Sequence, residues 1–264
     1  MKEYKNIKVE YRENIAILTF NRPDVLNALS TETLTEALDA VKELEKNREV
    51  RVLIFTGSGR AFVAGADISE ISSKTPEDAR KYSELGHTLV NTIQHMDKPV
   101  IAAINGYALG GGTEIALGCD ICIASEKARF GLPETTVGVI PGWGGTQRAA
   151  RLIGPALAKE LIFTGEIITA HRALEIGLIN RMVPHESLMD VTMEMARKIS
   201  LQGQIALSHA KRVINEGVDK SFQEGCKMEI DAFVSCFQTE DQKEGMKAFI
   251  EKRKPNFKGR YHFY

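Results

Sequence analysis

The chain of 264 residues lacks several features that mark secreted, membrane-bound or nucleic-acid-binding proteins. Its four cysteines are too few and too scattered for a disulfide framework in a chain of this length. Its longest run without a charged residue, Pro99 to Thr113, is short and rich in glycine, so it is unsuited to cross roughly 30 Å of hydrocarbon. The formal net charge is −1, from 34 Lys plus Arg against 35 Asp plus Glu, which argues against a basic face for nucleic acid.

The beginning of the sequence shows no signal-peptide pattern. Met1 to Lys5 carry charges where a signal peptide needs an apolar core. We therefore expect a cytoplasmic protein, or one of the mitochondrial matrix if a transit peptide has been removed. With 43% apolar residues, a chain of this length can bury roughly 70–75% of its unfolded surface without a metal or a disulfide.

Strands and helices alternate in the first half of the sequence, which predicts an α/β fold. Four apolar runs are typical of strands covered on both faces: 14–20, 50–56, 99–104 and 121–124. Ser30 is placed to cap one helix, and Thr75 with Pro76 to begin another that runs toward His95, with Ala79 and Tyr82 facing inward.

From about residue 144 the pattern is almost entirely helical, interrupted by a short strand at 179–183. Thr239 to Gln242 fits a capping box for the last helix. We expect a core over residues 1–190 that holds the site, and a helical region over 191–264 for oligomerisation. The predicted helices cover 144–152, 155–163, 170–176, 188–200, 205–216, 221–237 and 240–252.

Glycine is concentrated in two dense clusters, at 106–112 and 138–145. A third stretch, Gly57 to Gly59, follows a strand but lacks the third glycine and the helix of a dinucleotide-binding loop, and no P-loop motif is present. Gly110 to Gly112 instead predict the start of a helix. The free N–H groups of a first helical turn can stabilise an oxyanion, and glycine lets a ligand carbonyl come close.

Two glutamates lie in otherwise apolar stretches beside these clusters, Glu114 and Glu134. Burial raises the pKa of a carboxyl group toward neutrality, so the pair could act as a general acid and a general base. The alternative is that Glu114 is a surface residue stabilised by the helix dipole. Likewise Asp67 could simply cap a helix that begins near Ile68, and Trp143 could be only a packing anchor.

Several segments together resemble the crotonase superfamily, and specifically short-chain enoyl-CoA hydratases and 3-hydroxybutyryl-CoA dehydratases. The resemblance covers nearly the whole chain and is most specific in its middle third. It rests on 21–23 (NRP), 26–29 (LNAL), 62–68 (FVAGADI), 98–112 (KPVIAAINGYALGGG), 119–120 (CD), 128–134 (ARFGLPE), 141–148 (PGWGGTQR) and 249–255 (FIEKRKP).

The resemblance implies a spiral of ββα units with a C-terminal helical region that builds trimers, two of which make a homohexamer. The thioester carbonyl of an acyl-CoA would lie between the backbone N–H groups of Ala64 and Gly111. Phe249 and Lys252 would contact CoA bound to a neighbouring subunit. Further substrate contacts would come from Gly65, Ala66, Asp67 and Ile68.

The implied activity is reversible syn addition of water to a short 2-trans-enoyl-CoA, giving a 3-hydroxyacyl-CoA. Glu114 would activate the water that attacks C3 and Glu134 would deliver a proton to C2, with no metal and no cofactor other than the CoA of the substrate. The alternatives are an enoyl-CoA isomerase, a hydratase for a branched acyl-CoA, or a noncatalytic CoA- or RNA-associated protein on the same fold. Three residues depart from the frequent pattern without removing a catalytic group: Leu132, Thr113 and the bulky Trp143.

Overall fold

The computed structural model describes residues 2–262, which form ten strands and eleven α-helices. The strands are β1 (Ile7–Arg12), β2 (Ile15–Phe20), β3 (Val52–Gly57), β4 (Ala61–Val63), β5 (Val100–Ile104), β6 (Tyr107–Leu109), β7 (Ile121–Ser125), β8 (Arg129–Gly131), β9 (Ile168–Thr169) and β10 (Arg181–Val183). The helices are α1 (Thr31–Lys46), α2 (Ile68–Ile71), α3 (Pro76–His95), α4 (Gly111–Gly118), α5 (Gly145–Ile153), α6 (Pro155–Thr164), α7 (Ala170–Glu175), α8 (Leu188–Ser200), α9 (Gln204–Gly217), α10 (Phe222–Cys236) and α11 (Glu240–Ile250).

From β3 to β8, consecutive strands alternate between two sheets. The first sheet has the order β1-β2-β3-β5-β7-β10 and the second the order β4-β6-β8-β9. From β2 to β10 the first sheet is parallel, and so is the second from β4 to β8. Each turn of the chain thus adds one strand to each sheet and then a helix, as in β5-β6-α4 and β7-β8-α5. This repeat confirms the expected α/β spiral of ββα units.

The continuous apolar runs are explained by cores on both faces of the first sheet. Along β3, Leu53 and Phe55 point into the larger core, while Val52 and Ile54 point into a smaller one. Helix α8 covers the smaller core with Leu188, Met193 and Ala196. Helix α8 spans residue 190 and packs on the sheet, so the helices that lie outside the core begin with α9. The division of the chain into two regions at residue 190 stays a prediction.

The strands that the sequence did not predict are short or lie at an edge. They are β1, which pairs antiparallel with β2, and the four strands of the second sheet. Strands of two or three residues are too short to show a period-two pattern. No helix of residues 2–262 combines the length and the apolar character needed to cross a membrane.

The hydroxyl groups of Ser30, Thr75 and Thr239 all cap the helices predicted to begin there, but the capping box predicted at Thr239 is incomplete. Ser30 and Thr75 accept from the N–H groups of Thr33 and Asp78. At Thr239 only half of a capping box forms: its hydroxyl accepts from the Gln242 N–H, but its own N–H donates to the Cys236 carbonyl. A complete capping box instead begins α10, where Ser221 and Glu224 satisfy each other's backbone N–H groups.

A partly buried ion pair joins α9 to the sheet. The Lys211 ammonium, whose side chain is only 8% exposed, donates to the Asp120 carboxylate at 2.9 Å and to the carbonyls of Ile93 and Lys98. Asp120 in turn accepts from the Val100 N–H at the start of β5. The pair therefore anchors the C-terminal helices to the core, and removing Lys211 would leave a partly exposed carboxylate without its cation.

We expect Lys211→Met to lower the free energy of unfolding by about 1.5–3 kcal/mol, because the Asp120 carboxylate and two backbone carbonyls lose a charged hydrogen-bond donor. The matched control is Arg151→Met, which breaks the exposed ion pair with Asp219 and costs less than about 1 kcal/mol. Urea denaturation of both variants at one protein concentration measures the difference. Equal losses would show that the Lys211 pair contributes no more than a surface contact.

Candidate active site

One cleft, with a volume of about 410 Å³, contains both predicted glutamates. It lies between the segment after β4, the start of α4, the 3-10 helix Pro133–Val137 and the loop before α5. Of the residues expected to bind substrate, Ala64, Gly65, Ala66, Ile68 and Gly111 line it. Its remaining lining residues are Ile71, Ala79, Tyr82, Ser83, Leu109, Gly110, Pro133, Thr136, Val137, Val139, Ile140, Gly142 and Trp143.

The glycine cluster at 110–112 allows α4 to begin in close contact with its surroundings. Gly110 has φ 51°, a left-handed backbone angle that favours glycine, and α4 begins at the next residue. A Cβ atom at Gly111 would lie 2.1 Å from the Trp143 ring, and one at Gly112 would lie 2.0 Å from the Val63 carbonyl oxygen. The first turn of α4 therefore packs directly on β4 and on the indole, as only glycine permits.

Glu114 is in the first turn of α4 and is only 1% exposed, which rules out the surface interpretation. Its Oε1 atom accepts from the backbone N–H groups of Trp143 and Gly145, each at 2.7 Å. Burial raises the pKa of this carboxyl group, and the two N–H donors and the Arg148 charge oppose the shift. The donors can hold an ionised Glu114 inside the protein.

Glu134 is held in a different environment by the 3-10 helix Pro133–Val137. Its Oε2 atom is buried, and no group of residues 2–262 forms a hydrogen bond with it. Burial first, and then the charge of Glu114, raise the pKa of Glu134 to about 7. One glutamate thus has donors that favour its ionised form, whereas the other gains a proton near neutrality. Such a split is typical of an acid-base pair.

Gly111 has the free N–H that oxyanion binding requires, whereas Ala64 does not. As the first residue of α4, Gly111 has an N–H without a partner in the helix. The Ala64 N–H, by contrast, donates to the Leu26 carbonyl at 3.0 Å. The expectation for Ala64 therefore has to be corrected, because its N–H is already used within the protein.

Ala66 presents a free N–H on this segment. It forms a parallel bridge with Leu29, in which the Leu29 N–H donates to the Gly65 carbonyl and the Leu29 carbonyl accepts from the Asp67 N–H. The pattern leaves the Ala66 N–H without an acceptor among residues 2–262. A Cβ atom added at Gly65 would lie 3.5 Å from the Leu109 carbonyl oxygen, so this segment lies close beside the entry to α4.

Asp67 stabilises the site without lining it. Its carboxylate pairs with Arg22 at 3.0 Å and accepts from the Ser69 hydroxyl; these bonds hold its pKa below the usual range. The sequence suggested that Asp67 could cap α2, but its side chain forms no capping hydrogen bond. Asp67 instead fastens the Ala66 segment to the loop that contains Arg22.

Phe249 and Lys252 lie outside the cleft. Phe249, near the end of α11, is 85% exposed, and Lys252 is an exposed residue with φ 53° just beyond the helix. Their expected contacts involve CoA on a neighbouring subunit and stay a prediction.

Trp143 is both a packing residue and a wall of the cleft. Its side chain is 3% exposed, its ring centroid lies 5.4 Å from that of Tyr82, and it lies beside Gly111 and Glu114 in the cleft. A Cβ atom at Gly86, in the middle of α3, would lie 2.2 Å from the indole nitrogen. A glycine inside a long helix is a signal of such close packing.

Sequence reasoning missed the roles of Ala79, Tyr82 and Arg148. Ala79 is exposed to the cleft and not inward in the core. Tyr82 is buried but its hydroxyl donates to the Leu29 carbonyl, next to Ala66. Arg148 lies in the segment 141–148, on which the family resemblance partly rests. A cation this close to an apolar, glycine-rich loop is the sequence signal that could have identified it. Within residues 2–262, no three His, Cys, Asp or Glu side chains gather where they could hold a metal.

Comparison with known proteins agrees with this geometry. Residues 10–260 match the enoyl-CoA hydratase/isomerase family. A crotonyl-CoA hydratase of Syntrophomonas wolfei is 47% identical over 96% of this chain and 98% of its own length. A short-chain-enoyl-CoA hydratase of Clostridium acetobutylicum is 47% identical over 98% of this chain and its own full length.

The fold has equally similar solved structures. The crystal structure of an enoyl-CoA hydratase from Bacillus anthracis superposes with a TM-score of 0.94 at 42% identity, covering 97% of this chain and all of that one. A second, from Geobacillus kaustophilus, gives 0.93 at 43% identity over 98% of this chain and all of its own. The protein belongs to the enoyl-CoA hydratase/isomerase family.

Proposed function

We propose that this hydro-lyase adds water reversibly to short 2-trans-enoyl-CoA thioesters, with Glu114 and Glu134 as its acid-base pair. The proposal rests on one observation: a buried glutamate and a half-buried one, with opposite hydrogen-bonding environments, flank the free N–H at the start of α4. The relatives named for crotonyl-CoA and for short-chain enoyl-CoA support the substrate class.

The substrate carbonyl oxygen accepts from the N–H groups of Ala66 and Gly111 in this mechanism. These fixed dipoles stabilise the negative charge that develops on the thioester oxygen as the enolate forms. Glu114, ionised, takes a proton from the water whose oxygen bonds to C3. Glu134, protonated, gives its proton to C2, so the pair starts and ends with one proton between its two members.

Hydration fits the pair better than double-bond migration does. Moving a double bond from C3 to C2 transfers one proton between two carbons, for which one carboxylate suffices. Adding water needs one group to remove a proton from oxygen and another to supply one to carbon. Both groups are in the cleft, which favours the hydratase over the isomerase alternative.

We also propose that the protein assembles as a dimer of trimers through its C-terminal helices. Exposed large apolar side chains are frequent there, as is typical of protein interfaces. They include Phe222, Ile230, Phe233, Val234, Phe237, Met246, Phe249 and Ile250. In such an assembly Phe249 and Lys252 would reach CoA bound to a neighbour, which provides local positive charge for a polyanionic ligand.

Glu114→Gln and Glu134→Gln should each lower kcat for crotonyl-CoA hydration by roughly 100-fold or more, since each removes one proton-transfer group. The absorbance of the conjugated thioester measures turnover. Glu77→Gln, an exposed glutamate in the first turn of α3, is the matched control and should retain activity. Wild-type rates in both cleft variants would contradict the two-glutamate mechanism.

The pH dependence follows from the single proton that the pair shares. Above the pKa of about 7 at Glu134 that proton is lost, so kcat/KM should fall up to tenfold per pH unit on the alkaline side. Hydration consumes no net proton, so the equilibrium constant does not depend on pH and both directions must show the same profile. Initial rates with crotonyl-CoA and 3-hydroxybutyryl-CoA from pH 5 to 10 test this; a flat profile up to pH 9 would refute it.

Trp143 should limit the length of the acyl chain, because its indole lies against Gly111 and beside Glu114, next to the reacting carbons. Trp143→Ala should raise the ratio of kcat/KM for the eight-carbon to the four-carbon 2-enoyl-CoA roughly tenfold or more. Trp143→Phe, which removes less volume, should give a smaller increase. An unchanged ratio in a folded Trp143→Ala variant would leave the indole as a packing residue only.

A further inference from the structure

Arg148, in α5, is a half-buried cation whose hydrogen-bonding partners are all neutral. Its Nε donates to Gln94 Oε1 at 2.7 Å and its Nη2 donates to Asn91 Oδ1 at 2.7 Å, both on α3. Its Nη1 donates to the Trp143 carbonyl at 2.9 Å. Of the ion pairs among residues 2–262, none includes Arg148.

The guanidinium clamps the loop that supplies hydrogen bonds to Glu114. The backbone of Trp143 is held on both sides of its Cα atom, since its N–H donates to Glu114 and its carbonyl accepts from Arg148. Gly144 lies between, with φ 99°, and a Cβ atom there would lie 2.1 Å from Arg148 Nη1. The Gly145 N–H then donates to the same Glu114 oxygen. Glu114 and Arg148 thus contact this loop from opposite sides.

The charge of Arg148 also acts on Glu114. A half-buried cation without an ion-pair partner favours a nearby anion. Burial lowers the pKa of Arg148, and attraction to Glu114 opposes this shift but is the smaller effect. Other groups face Glu114 too: Glu134 from the 3-10 helix and Tyr82 from α3. His87, also on α3, faces Arg148.

None of these other groups replaces the cation. Burial raises the pKa of the Tyr82 phenol and lowers that of the His87 imidazole, so both are neutral near pH 7. Glu134 is negative when ionised and opposes ionisation of Glu114. Among these groups, only Arg148 stabilises the anionic form of Glu114.

We propose that Arg148 is a positioning residue of the hydratase site: it fixes the Trp143–Gly145 loop and keeps Glu114 ionised, so that the shared proton resides on Glu134. The proposal rests on the hydratase mechanism proposed above. Arg148 does not touch the substrate in this role. It determines which of the two carboxyl groups is the acid and which is the base.

Arg148→Met and Arg148→Lys test the two parts of this role. Arg148→Met should lower kcat for crotonyl-CoA by roughly 100-fold with KM changed less than about threefold, and move the acid limb of the kcat/KM profile up by about one pH unit. Arg148→Lys keeps the positive charge but not the guanidinium group that donates to three partners. The acid limb should therefore stay near its wild-type position, while kcat should be as low as in Arg148→Met. Arg151→Met, one turn further along α5 and exposed, is the control and should leave kcat and the profile unchanged.

A second measurement does not depend on turnover. In the Glu134→Gln background, Glu114 titrates without its partner, and difference infrared spectroscopy follows its carboxylate band. We expect the midpoint to rise by about one pH unit when Arg148→Met is added, and to stay unchanged when Arg151→Met is added.

The outcomes separate the two proposals. If the wild-type protein fails to hydrate any 2-enoyl-CoA, the proposed function fails, while the infrared titration still tests Arg148. If the wild type is active and a folded Arg148→Met variant keeps its kcat and its acid limb, the role of Arg148 is refuted. If Arg148→Met does not fold, Arg148→Lys decides: an acid limb displaced as far as one pH unit, or a wild-type kcat, would overturn the proposal.

Discussion

A carboxylate that is 1% exposed can remain ionised only if the protein replaces the water it has lost. For Glu114 this replacement is two backbone N–H groups, from Trp143 and Gly145, on a single oxygen. The rest of the site is arranged around this requirement. The loop must turn so that both N–H groups converge, which needs the left-handed Gly144, and the loop must then be held, which Arg148 does from the other side.

The same constraint explains why glycines gather from three separate parts of the chain. Once the Trp143 peptide is fixed against Glu114, its indole projects into the space between α3 and α4. A side chain at Gly86 or at Gly111 would occupy that space. In the proposed mechanism this close approach brings three functions together: Gly111 would offer an N–H to the substrate oxygen, Glu114 would face the reacting carbons, and the indole would close the cleft beside them.

The sequence predicts the parts of this arrangement that depend on a local pattern of residues. It fails where contacts between distant segments decide which backbone groups are free. Strands β2, β3, β5 and β7 were predicted because a sheet with a core on each face requires continuous runs of apolar residues. The two glutamates and the start of α4 were predicted because a glycine cluster and an acidic residue in an apolar stretch beside it are local signals. By contrast, choosing between Ala64 and Ala66 requires knowing that the Ala64 N–H meets Leu26 across a loop, which no local pattern reveals.

The reacting groups and the exposed apolar surface belong to different parts of the molecule. Every group placed near the reacting atoms comes from the segment between β4 and α5, whereas the large exposed side chains concentrate on α9 to α11. The ion pair of Lys211 and Asp120 connects the two regions, and Asp120 lies just beyond α4, the helix that contains Gly111 and Glu114. Because α4 is fixed at its first turn by glycine packing and followed at once by this ion pair, the proposed subunit assembly would shape the mouth of the cleft while the two glutamates kept their geometry.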